Sequence, residues 1–122
     1  MALTINHPTL KEQTVSGHTA SCGASPIVAV TRAPFRGRIV KVFGVTAGAI
    51  TTADATITVG VAGTTQTSAA FTIVATGSAA GVVTVASGLN IPVNEDDAIT
   101  FLPAGASGAN IPCTFGAVIQ TA

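Results

Sequence analysis

The sequence predicts an all-β protein: an antiparallel β-sandwich in one domain, preceded by an extended N-terminal arm. Three observations carry this expectation. Small and β-branched residues dominate a chain that is 48 % hydrophobic yet has five Phe and no Trp or Tyr, a composition that favours strands over helices. Residues 55–62 alternate strictly, with Ile57, Val59 and Val61 to one side and Thr56, Thr58 and Gly60 to the other, a period of two that an amphipathic helix does not have. Finally, about seven short apolar runs recur at roughly 8–15-residue spacing between turn-forming clusters, the pattern of a sandwich of short strands. A chain of 122 residues buries about two thirds of its unfolded surface as a single domain.

Residues 1–24 read as the arm. They carry His7, Pro8, Lys11, Glu12, His18 and several Ser and Gly without a sustained period, and one short strand is expected near residues 13–16. Segments of this kind order on a partner. The sandwich is expected over residues 25–122. Residues 26–31 form a short apolar run closed by Arg32, Ala33 and Pro34. Residues 36–46 are long enough for a full strand and are apolar on both faces, which places this strand centrally. A loop from Ala47 through Asp54 leads to the alternating strand at 55–62. Residues 63–67 then turn the chain, and 70–75 return it as a hairpin with Phe71 and Ile73 inward.

Residues 76–81 (Thr-Gly-Ser-Ala-Ala-Gly) form a flexible turn. Another strand at 82–86 is expected to end at Ser87-Gly88. The acidic cluster 94–97 makes a turn before a strand with Ile99 and Phe101 on one face, stopped by Pro103. Residues 104–110 form a small-residue loop. The closing strand spans 111–119, with Cys113, Phe115, Ala117 and Ile119 on one side.

Charged residues make up 8 % of the chain and the net charge is zero, against about 25 % charged residues in an average soluble domain. A free monomer needs charged surface to stay apart from its copies, so a constitutive oligomer or a lattice-bound protein is expected. The longest apolar run, 39–45, is interrupted by Lys41 and falls far short of the roughly 20 residues of a spanning helix, so no membrane partner is expected. The N-terminus lacks a basic region followed by an apolar stretch, so folding in the cytoplasm is expected. Cys22 and Cys113 are then expected to stay reduced. The alternative, a disulfide between them, would tie the arm to the last strand.

Little in the chain supports chemistry. His7 and His18 lie in the arm, and with Cys22 and Cys113 they form no paired metal-ligand spacing. Glu95, Asp96 and Asp97 lack the alternating oxygen donors of a calcium loop and read as a solvated turn. No Gly-x-Ser-x-Gly turn occurs, and the Gly-rich stretch 77–81 lacks the Lys that phosphate cradling needs. Without Trp or Tyr, a sugar-stacking surface is missing. No enzyme activity, metal or cofactor is expected. Arg32, Arg36, Arg38 and Lys41 hold four of the five positive charges within ten positions. They are candidates for a docking patch facing an acidic protein surface, the alternative being ordinary solubilising charge. Nucleic acid would ask for more positive charge and exposed aromatic rings.

The run APFRGRIVKVFGVTAGAITTADATITVGVAGT (33–64), the Gly/Ser/Ala loop at 76–81 and the stretch LNIPVNEDDAITF (89–101) resemble the layout of head decoration, or cement, proteins of tailed bacteriophages. The likeness spans residues 25–119 and lies in composition and strand order. It implies a jelly-roll-like sandwich with no catalytic residues. It also implies a structural protein that is made in the host cytoplasm, binds the major capsid protein on the virion exterior, and associates with itself as a trimer, or alternatively a dimer. Two other classes share the composition. A phage fibre, spike or receptor-binding domain would carry aromatic or charged loops, and the loops here are Gly, Ala, Ser and Thr. A pilin-like surface subunit would carry a secretion signal.

Overall fold

The computed structural model describes residues 12–23, 26–50, 53–75, 79–105 and 110–121. Nine strands form among them: β1 (Glu12–Thr19), β2 (Ala29–Arg32), β3 (Gly37–Thr46), β4 (Ala55–Val61), β5 (Thr64–Thr65), β6 (Phe71–Ile73), β7 (Val83–Val93), β8 (Ala98–Ala104) and β9 (Cys113–Thr121), with one 3-10 turn at Thr67–Ala69. All pairings are antiparallel, as expected. The pairs are nested: β1 with β9, β2 with β8, β3 with β7, and β4 with both β5 and β6. The chain is thus a long ribbon doubled back near its middle. Two lateral pairings, β3 with β9 and β4 with β8, roll that ribbon into two sheets, ordered β1-β9-β3-β7 and β2-β8-β4-β5, with β6 also on β4.

The alternation in β4 does what its period dictates. Ile57, Val59 and Val61 are buried, and Thr56 is exposed. Opposite them, Ile39, Val42, Phe115 and Ile119 come from the other sheet. Phe101 on β8 stacks on Phe115 on β9 across the sandwich, ring centroids 5.6 Å apart, and Phe71 meets Phe115 edge-on at 6.2 Å. Each such burial contributes about 1.5–3 kcal/mol, and the rings link sheets between which no strand pairs with a strand of the other among the described residues.

Four expectations change on folding. The first concerns the arm. From Glu12 onward it belongs to the sheet, because β1 pairs with β9 over eight residue pairs; residues 1–11 lie outside the described residues. β1 also closes the sandwich against β2, where a Cβ on Gly17 would come 2.8 Å from the carbonyl oxygen of Val30. The second concerns the cysteines, which are joined rather than free. Register decides this: Thr19 at the end of β1 sits opposite Cys113 at the start of β9. The Cys22 amide then donates to the Ile111 carbonyl at 2.9 Å, leaving the two Cα atoms 6.5 Å apart, within bridging reach.

The third concerns β7, which does not end at Ser87-Gly88. It continues to Val93, with residues 88–90 set opposite Val40 alone and Gly88 at φ +72°. Glycine takes this left-handed conformation without steric cost, so the strand bends and resumes instead of stopping. The fourth concerns Pro103, which lies inside β8, buried and opposite Ile57. β2 begins opposite Phe101, so among the described residues no strand flanks Pro103 on that side to require an N–H.

β3 is central, between β9 and β7. A bulge at Val40 explains its apolar content on both faces. Ile39 pairs with Ile119 and Lys41 with Val118, leaving Val40 without an opposite residue. The extra residue shifts the phase of the strand. Ile39 and Val42 both point into the core, while Arg38 and Lys41 are both exposed and Phe43 and Val45 are half-buried on the outside.

Candidate interaction surface

The acidic turn is occupied with holding its own loop. Asp97 accepts from the Asn94 amide at 2.8 Å, and the backbone of Ala33 exchanges hydrogen bonds with Asp96 and Asp97. Asp54 accepts from the Ala75 amide at 2.9 Å. His18 is exposed on β1, with Nδ1 3.5 Å from the Thr114 hydroxyl. Among the described residues, no group of three or more His, Cys, Asp or Glu is placed to hold a metal ion.

The four sequence-adjacent cations do not form one patch. Arg32 stands on β2 and pairs with Asp96 at 2.5 Å, the side chains 66 % and 68 % exposed; such a pair adds at most about 1 kcal/mol. Arg36 is exposed in the turn before β3. Arg38 and Lys41 stand on the outer face of the other sheet, brought to the same side by the Val40 bulge. Arg38 donates to the Gln120 side chain at 3.3 Å, and Gln120 donates to Glu12 at 2.7 Å.

That outer face has an apolar centre. Register sets Val83, Val45, Thr114 and His18 in one row across β7, β3, β9 and β1, and Val85, Phe43, Gly116 and Ser16 in the next. Phe43 lies across Gly116, where a Cβ would come 2.4 Å from the ring. Val83 and Val85 are 54 % and 51 % exposed. The third row holds Ser87, Lys41, Val118 and Thr14, and the fourth Pro92, Arg38, Gln120 and Glu12. A shallow depression of about 190 Å³, bounded by His18, Val45, Gly81 and Pro112, flanks the first row. An apolar centre with a polar, basic rim is the anatomy of a protein-contact surface. The sequence carried a signal for it, the apolar residues on both sides of segment 36–46.

The opposite outer face differs. Thr56, Thr58 and Gly60 on β4, Thr100, Leu102 and Ala104 on β8, and Thr72 on β6 alternate with buried neighbours and carry no charge. The chain matches no known family model, and no curated protein is significantly similar to it.

Proposed function

We propose that this chain is a structural virion protein that binds the outside of a bacteriophage capsid and reinforces it, as head decoration proteins do. The observation that carries this reading is the outer face of the β1-β9-β3-β7 sheet. It sets exposed Val83 and Val85 beside half-buried Phe43 and Val45 and rims them with Arg38 and Lys41. A surface of this make-up gains by being covered, and its rim suits an acidic protein partner. The sequence layout at 33–64, 76–81 and 89–101 supports the phage assignment. Strand order supports a jelly roll: β1-β9-β3-β7 against β2-β8-β4-β5/β6 is the order of an eight-stranded jelly roll, an architecture used by viral capsid domains. The outer faces of β4, β6 and β8 in the second sheet carry no charged side chain, which suits close packing against neighbours. Contacts of this kind are individually weak and gain strength when an oligomer binds at several points.

The deciding experiment mixes the purified protein with capsid shells that lack it and measures co-sedimentation. Saturable binding at micromolar concentration is expected. Protein that stays in the supernatant across that range rules the reading out.

A further inference from the structure

We infer that β7 is the edge along which two copies of this chain join, antiparallel, about a two-fold axis. This deepens the reading of the chain as an associating virion protein and rests on it. The strand ends its sheet: β3 occupies one side, and among the described residues the backbone of 83–93 bonds to β3 alone. An open edge is a template for another strand, and proteins blunt such edges by shortening, charging or covering them.

The other edges are blunted, and β7 is blunted only beyond Ser87. β5 and β6 are two and three residues long. β2 has four residues and carries Arg32. β1 carries Glu12 and leans on β2 through Gly17. β7 runs for eleven residues without a charged side chain. Its own irregularities limit where pairing is possible. The bend at Gly88 and the missing N–H of Pro92 leave residues 83–87, Val-Thr-Val-Ala-Ser, as the regular stretch.

Charge selects the occupant. A charged peptide would bring its ions to an edge with no counter-charge, whereas a second copy brings the same uncharged stretch. A two-fold axis makes that contact isologous. With the axis at Val85, the centre of that stretch, Val85 of one copy sits opposite Val85 of the other, a β-branched pair on the outer face of the kind that stabilises antiparallel ladders. Four strands from each copy then form one sheet, and its outer face doubles the Phe43, Arg38 and Lys41 surface. A doubled surface binds a symmetric partner through effective concentration. Of the dimer and the trimer, this contact selects the dimer.

Sedimentation equilibrium of the protein alone tests this. The expected mass is twice 11.9 kDa, or an even multiple of it, falling to the monomer mass in Val83→Lys with Val85→Lys while the far-UV circular dichroism is unchanged. A monomeric wild-type chain, or a folded double variant of unchanged mass, overturns the inference. Should the variant not fold, hydrogen exchange on the wild type decides. Protection of amides in 83–87 that rises with protein concentration supports the interface, and concentration-independent exchange overturns it. Shell binding is read separately. A chain that binds shells as a monomer removes this interface and leaves the capsid reading, while a dimer that never binds shells does the reverse.

Discussion

The Phe43 ring on β3 lies over Gly116 on β9, on the outside of the sandwich, in the space a side chain at 116 would fill. The glycine gives the ring half-burial on a solvent face and keeps the apolar centre of that face level. Gly116→Val is therefore expected to push Phe43 outward and to crowd the Val15 carbonyl, 2.8 Å from the added Cβ. A loss of about 1–3 kcal/mol, typical of overpacking, should appear as a lower urea midpoint with unchanged slope.

The Val40 bulge makes a sharper test. Deleting Val40 removes the extra residue, so a strict period of two runs through β3 with Arg38 and Lys41 still outward and Ile39 and Val42 still inward. The deletion variant is therefore expected to keep cooperative urea unfolding. Loss of the cooperative transition would show that the phase of β3 is not set there.

Cys22 and Cys113 close a loop with a sequence separation of 91 residues, and both are buried. Cross-linking so distant a pair restricts the unfolded chain, and replacing both with Ser should cost about 2–5 kcal/mol. Thermal melts with and without reductant give the comparison. Equal midpoints in the two conditions would mean that the bond adds no stability.

Capsid binding should depend on the cations unequally. Arg38→Glu with Lys41→Glu reverses the rim of the apolar face and is expected to reduce co-sedimentation with shells, most strongly at low salt. Arg32→Ala removes a partner already engaged by exposed Asp96. It should leave occupancy unchanged and alter stability by less than about 1 kcal/mol. Equal losses from both changes would point to general charge attraction and not to a docking face.

Much of this architecture is legible in the chain. The alternation at 55–62, the inward set Cys113, Phe115, Ala117 and Ile119, and the hairpin bearing Phe71 and Ile73 are local patterns, and the burial of these residues follows them. Turn chemistry alone misled at Ser87-Gly88 and at Pro103, where the neighbouring strand decides whether the ladder continues. The four clustered cations looked like one patch, yet Arg32 and Arg38 emerge on opposite sheets, because the turn between β2 and β3 crosses the sandwich.

The sequence by itself determined strand character, the inward face of most strands and the scarcity of charge, since a two-residue period is written in neighbouring positions. Only the tertiary structure decided the nested order of pairing, the Cys22–Cys113 link and the shared outward face of Arg38, Lys41 and Phe43. Each depends on register between segments far apart in the chain, and register comes from how two sheets fill one core, not from any single segment.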